Sequence, residues 1–117
     1  MDFGRAVKTS LSFDEAIEAA RSLLRDEGFG VLCDIDVSKT LHEKLGANFR
    51  RYRILGACNP NFALQALQEE EQLGLLLPCN VVVQEISGAT VVSAVDTRAL
   101  LSSVANPAWP NVAGNVN

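Results

Sequence analysis

Hydrophobic residues recur along this chain at two different spacings, which predict alternating helices and strands. The clearest helical spacing runs from Phe13 to Leu24, where apolar residues appear every three or four positions and charged residues take the other side. Ser12 and Glu15 form a capping box, which favours a helix start at this point. Gly28 follows where a left-handed C-terminal cap is favoured.

The strand pattern is clearest in "FGVLCDIDV", residues 29–37, where one set of alternate positions is apolar and the other consists of glycine, leucine and two aspartates. This alternation predicts that Cys33 is buried and that Asp34 and Asp36 lie on the solvent side of an edge strand. The two carboxylates also have the spacing of a cation site or an acid–base pair. In "YRILGAC", Gly56 indicates a bulge or a close backbone approach.

Residues that favour helix starts, helix ends or turns predict the boundaries of the remaining elements. Asp36 or Ser38 caps a short helix that ends at Gly46, and Asn59-Pro60 starts a third helix. That helix is expected to stop at the acidic run 69–71, because negative charge is unfavourable at a helix C-terminus. Residues 3–9 form a weak first strand, and "CNVVVQEI" and "TVVSAV" form a hairpin across Gly88. A last short helix follows Asp96.

The resulting order, β-α-β-α-β-α-β-β-α, predicts an α+β two-layer sandwich with helices on one face of a mostly antiparallel sheet. A doubly wound parallel sheet is the alternative, weakened by the short middle helix and the terminal hairpin. We expect a single domain over residues 1–105. Residues 106–117 contain two prolines and no periodicity, which predicts an irregular tail with Trp109 folded back onto the core.

Composition restricts the function classes. The 117 residues have a formal net charge of −4, which argues against a nucleic-acid partner, and the basic cluster at residues 50–53 is too small to reverse this. No apolar run has the length of a membrane span, and residues 1–10 do not resemble a signal peptide. Three cysteines without a secretory signal are typical of reduced thiols, so we expect a soluble, cytoplasmic protein.

Candidate chemistry is limited to a few side chains. Cys58 and Cys79 bracket the third helix, and spacing alone leaves open whether they are neighbours or lie at opposite ends of the sheet. Burial as small apolar residues is the commoner role of free cysteines. His42, the single histidine, is expected to be a solvated helix residue. No CxxC pair, phosphate loop or nucleophile elbow is present, so no catalytic residue, metal ligand or cofactor is assigned.

Three ordered motifs, "EGFGVLCDIDVSKTLHEKLG", "YRILGACNP" and "GLLLPCNVVV", resemble the family known as domain of unknown function 302. The resemblance runs from about Phe13 to Asp96. It implies a two-layer sandwich with an antiparallel sheet, of the TATA-binding-protein-like fold, but it supplies no activity. Cys58 and Cys79 match cysteines of the family motifs, whereas Cys33 stands where relatives more often have a threonine-like residue. Relatives also tend to continue past Val112 into a long amphipathic helix.

The antiparallel order implied by the resemblance predicts a shared site. It places both thiols at one edge of the sheet, reduced and with one strand between them, bordering a small pocket with Asn59, Asn80 and Arg53. The leading hypothesis is a non-enzymatic binding module with a small ligand or protein partner near these turns. The alternative is a redox or metal-handling protein that uses Cys58 and Cys79. A homodimer is also expected, because the hairpin's apolar set (Val81, Val83 and Val92) is predicted to lack cover.

Overall fold

A computed structural model describes residues 4–95 of the chain. It contains five strands, three α-helices and one 3₁₀ helix. The strands are β1 (Gly4–Thr9), β2 (Gly30–Asp36), β3 (Tyr52–Cys58), β4 (Cys79–Ile86) and β5 (Ala89–Val95). The helices are α1 (Phe13–Asp26), α2 (Val37–Leu45) and α3 (Pro60–Glu69), and the 3₁₀ helix spans Leu73–Leu76. The predicted helix after Asp96, the tail and Trp109 lie outside the described residues.

The five strands form one sheet in the order β1-β5-β4-β3-β2, and every pairing in the described part of the chain is antiparallel. The sheet and its helices form an α+β fold consistent with a two-layer sandwich, so the predicted fold class is confirmed and the parallel alternative is wrong. Among residues 4–95, no helix is long and apolar enough to cross a membrane.

Helix α1 covers the centre of the sheet. Its apolar stripe forms two buried clusters, in which Phe13, Ala16 and Ile17 pack with Val83, and Ala20 packs with Leu55 and Val81. Val81 and Val83 are only 8% and 0% exposed, and Val92 packs against both clusters. The expectation that these valines lack cover is therefore wrong, because α1 supplies it. The homodimer stays a prediction, but exposure of these valines no longer supports it.

A β-bulge in β2 makes the side chains that follow it point to the opposite faces of the sheet from those predicted. Val31 pairs with Ala57 and Cys33 pairs with Gly56, so the register shifts at Leu32. After the bulge, Asp34 pairs with the fully buried Leu55 and faces α1, whereas Cys33 faces the opposite side of the sheet and is exposed. The prediction of a buried Cys33 and a solvent-facing Asp34 is wrong, because one extra residue reverses the alternation.

Helix α1 begins as its capping box predicts. The Ser12 hydroxyl accepts from the Glu15 N–H at 3.2 Å, and the Glu15 carboxylate accepts from the Ser12 N–H at 3.0 Å. The second bond, from the Ser12 backbone, also lowers the pKa of Glu15, with a further contribution from the Ser12 side chain.

Ser12→Ala removes one bond of the box, so the free energy of unfolding should fall by about 1 kcal/mol. Urea unfolding of the two proteins at pH 7 measures the difference. Ser22→Ala, an exposed position within the same helix, is the matched control and should change stability by less. Superimposable curves for Ser12→Ala and the natural chain would contradict a stabilising role for the cap.

Candidate functional site

The sheet has two ends, and the predicted site residues divide between them. The Cys58 end consists of Gly30, Cys58 and Cys79, and the Arg53 end consists of Asp36 and Arg53. Arg53 precedes Cys58 by five positions in the same strand, a distance of about 17 Å at the rise of an extended chain. The structure therefore brings four of the five predicted residues to one end and places Arg53 at the other.

The two thiols lie at the same end of directly paired strands. Ala57 lies opposite Cys79, so Cys58 is the next residue along β3. The expected intervening strand is absent, because β3 and β4 pair with each other and α3 lies on the connection between them. Since successive residues of a strand face opposite sides, the side chains of Cys58 and Cys79 point to opposite faces of the sheet. Both thiols are half-buried.

The two asparagines have separate surroundings. The Asn59 side chain accepts from the Phe62 N–H at 3.1 Å and caps α3. Asn80 is exposed and pairs with Gly56 in the ladder between β3 and β4. The Asn59 side-chain oxygen is therefore used by the helix start, as its position before Pro60 predicts.

Arg53 belongs to a charge cluster with Asp34 and Arg21. Its guanidinium makes a two-pronged contact with Asp34, with Nε donating to Oδ1 at 2.7 Å and Nη2 donating to Oδ2. Arg21 of α1 donates to the same Oδ2. The hydrogen bond from Arg53 is the main cause that lowers the pKa of Asp34, assisted by Arg21 and opposed by burial. The same bond raises the pKa of Arg53 above its usual range.

A cavity of about 320 Å³ lies beside this cluster at the Arg53 end. Three segments form its wall: the first residue of α1, the stretch from the end of β2 into α2, and the loop before β3 together with the first two residues of that strand. Its polar lining consists of Asp36, Ser38, Lys39, His42, Asn48, Arg51 and Arg53, and its aromatic lining consists of Phe13, Phe49 and Tyr52. The cavity thus combines charged groups with rings, a combination common in small-molecule sites.

Contacts outside the cavity hold its wall residues in place. The Ser38 hydroxyl donates to the Phe49 carbonyl at 3.0 Å, which ties the loop to α2. Arg51 donates to Asp14 at 2.9 Å and lies 3.6 Å from a carboxylate oxygen of Glu85. Its guanidinium carbon also lies 4.2 Å from the centroid of the Phe13 ring. These bonds link the cavity wall to α1, α2 and β4.

Sequence reasoning missed this cavity although its signal was present. The basic cluster at residues 50–53 is too small to indicate a nucleic-acid partner, and the sequence predicts that His42 is a solvated helix residue. His42 is exposed, as expected, but it lines the cavity together with Arg51 and Arg53. Asp36 also lines the cavity, and its position as the last residue of β2 and the N-cap of α2 could be predicted from the sequence. In residues 4–95, no group of three His, Cys, Asp or Glu side chains is arranged to hold a metal ion.

Comparisons with known proteins identify the family. The family model "Domain of unknown function DUF302" matches residues 5–117, a longer range than the motifs alone indicated. The crystal structure of an uncharacterized conserved DUF302 protein from Bacillus stearothermophilus is similar, with 33% sequence identity and a TM-score of 0.89. The similarity covers 99% of this chain and 91% of that one. No curated protein gave a significant match. The chain therefore belongs to the DUF302 family.

Proposed function

We propose that this protein is a small binding module whose ligand occupies the cavity at the Arg53 end. The observation that carries the proposal is the 320 Å³ cavity itself, lined by three cationic side chains and three aromatic ones. A volume of that size is at the lower end of the range of small-molecule sites. The proposal keeps the binding role predicted from the sequence and one of its five residues, Arg53.

Fixed wall residues support binding by this cavity. Arg53 is held by Asp34, Arg51 by Asp14, and the loop carbonyl of Phe49 by Ser38. Side chains that are already positioned lose less conformational freedom when a ligand arrives, so more of the contact energy remains as affinity. This restraint is strongest for Arg53, whose bond to Asp34 is partly buried, and weaker for Arg51, because Arg51 and Asp14 are both more than half exposed.

The alternative function, paired thiol chemistry, has less geometric support. Cys58 and Cys79 face opposite sides of the sheet, so a bond or a shared metal between them requires the strands to rearrange. Neither thiol lines the cavity. A ligand at the Cys58 end, a homodimer and a cytoplasmic location stay predictions from the sequence.

The test is to fill the cavity. Ala47 lines it and is half-buried, so Ala47→Trp should occupy much of its volume. A library of charged and neutral fragments is added to the ¹⁵N-labelled protein, and backbone amide shifts are followed by NMR. We expect at least one fragment to shift amides within residues 36–53 of the natural chain and to lose that effect in Ala47→Trp.

Asn61→Trp, at an exposed position at the start of α3, is the matched control. It adds the same side chain away from the cavity, so fragment binding should be unchanged. A screen in which no fragment shifts residues 36–53 would contradict the proposed function. So would hits that bind Ala47→Trp and the natural chain equally well.

A further inference from the structure

We infer that the ligand of this cavity carries a carboxylate or phosphate group that contacts Lys39, joined to a flat apolar body that packs on Phe49. The inference rests on the proposed function and names the chemical class of its ligand. It follows from an excess of hydrogen-bond donors on the wall, one cation without a partner, and an exposed ring beside them.

Donors exceed acceptors on the cavity wall. Three lining side chains, Lys39, Arg51 and Arg53, carry full positive charge, and one, Asp36, carries negative charge. A guanidinium has five N–H donors. The bonds from Arg53 to Asp34 use two of them, and the hydrogen bond from Arg51 to Asp14 uses one. Each arginine therefore keeps donors for an oxygen-bearing group.

The one acidic lining residue, Asp36, caps a helix. The Asp36 side chain accepts from the Lys39 backbone N–H at 3.0 Å and caps α2. The nearby carboxylates of Asp14 and Asp34 are likewise engaged by arginines. These acids face the arginines, and none of the ion pairs formed within residues 4–95 includes the Lys39 ammonium.

Lys39 has no ion-pair partner among residues 4–95. Its side chain is exposed and lines the cavity. It lies in the first turn of α2, where positive charge is unfavourable for the helix, so helix stability does not explain it. A ligand anion would supply the missing partner, and an oxygen there would also be within the field of Arg51 and Arg53.

The apolar part of the ligand follows from the rings. Phe13 is 4% exposed and is covered on one face by Arg51. Phe49 stays 37% exposed, although the Arg50 guanidinium carbon lies 4.4 Å from its ring centroid and the Tyr52 centroid lies 6.1 Å away. A flat group that packs on Phe49 would remove apolar surface from water while its anionic end reaches Lys39.

The test compares three probes of similar shape: benzoate, phenyl phosphate and benzamide. Each is titrated at fixed ionic strength into the ¹⁵N-labelled natural chain, Lys39→Met and Lys44→Met. Lys44 is exposed on the same helix but does not line the cavity, so it controls for the loss of one positive charge. We expect benzoate or phenyl phosphate to shift amides of residues 36–53 and benzamide to bind more weakly. Lys39→Met should weaken the anion about fivefold or more, and Lys44→Met less than twofold.

Each outcome decides the inference. A preference for one of the two anions identifies the group as carboxylate or phosphate. Equal binding of benzamide and benzoate would overturn the anion inference and leave the proposed binding function intact. Equal weakening by both lysine variants would also overturn it, since long-range charge would then explain the affinity. Absence of shifts with both anions would overturn it as well, and the fragment screen separately decides whether the cavity binds anything.

Discussion

Asp34→Asn is expected to lower the free energy of unfolding by about 2 kcal/mol at pH 7. The carboxylate of Asp34 is the shared acceptor of Arg21 and Arg53, and all three side chains are one third exposed or less. Asparagine has nearly the same shape, but it has one acceptor oxygen and no charge. Two partly buried guanidinium groups would lose their common partner, and hydrogen bonds to charged groups are worth roughly 1.5–3 kcal/mol. Residual solvent screening keeps the value below the upper limit.

The same variant should reveal a pH dependence. The pKa of Asp34 is lowered in the folded protein by the bond from Arg53, so its carboxylate binds protons less readily than in the unfolded chain. Its contribution is complete above the unfolded pKa of about 3.9 and is lost as the pH falls through the lowered folded value. The stability curves of the natural chain and Asp34→Asn should therefore converge below about pH 4.

Urea unfolding from pH 7 to pH 2 measures both effects. Asp26→Asn makes the same chemical change at an exposed position of α1 and should alter stability by less than about 0.5 kcal/mol. A constant difference between the natural chain and Asp34→Asn down to pH 2 would show that the loss arises from packing rather than from charge.

Gly56→Ala is expected to destabilise the protein by about 2 kcal/mol, because no space is available for a methyl group. A Cβ at residue 56 would lie 2.5 Å from the Cys33 sulfur and 2.9 Å from Cγ of Pro78. The cysteine side chain can rotate away, but the proline ring cannot. The glycine therefore lets the side chains of two neighbouring strand segments approach the backbone of β3.

Two variants distinguish this explanation from a general effect of alanine. Gly74→Ala has open space around its Cβ and should change stability little. Adding Cys33→Ala to Gly56→Ala removes the sulfur and should restore part of the loss, with the remainder assigned to Pro78. Thermal and urea unfolding measure all four proteins, and an unchanged loss in the double variant would exclude the sulfur as its cause.

Features set by neighbouring residues could be predicted from the sequence. The start of α1 at Ser12, the cap of α3 at Asn59 and the end of α2 at Gly46 each depend on contacts within a few residues. Glu69 ends α3 where the acidic run predicts it. The hairpin also forms as expected, with positive φ at Ser87 and Gly88. Such signals are local, so the order of elements and the fold class follow from them.

Features set by distant residues could not be predicted in this way. The bulge at Leu32 depends on which residue of β3 each residue of β2 pairs with, and alternation alone does not contain that register. The Arg53–Asp34 contact spans 19 positions, and the Arg51–Asp14 contact spans 37. Strand order alone therefore predicts a site at Cys58 and Cys79, which lie at the same end of paired strands, whereas the cavity is lined by residues from separate segments.

The bulge in β2 also has a consequence for solubility. Among the strands of residues 4–95, β2 lies at an edge of the sheet, and Leu32, Cys33 and Ile35 on it are exposed. A regular apolar edge of this kind offers unpaired backbone groups to a strand of another molecule and promotes fibrous aggregation. The extra residue at Leu32 interrupts the even row of donors and acceptors and twists the strand locally. The inserted residue is therefore expected to hinder strand-to-strand association at this edge, which its exposed apolar side chains would otherwise favour.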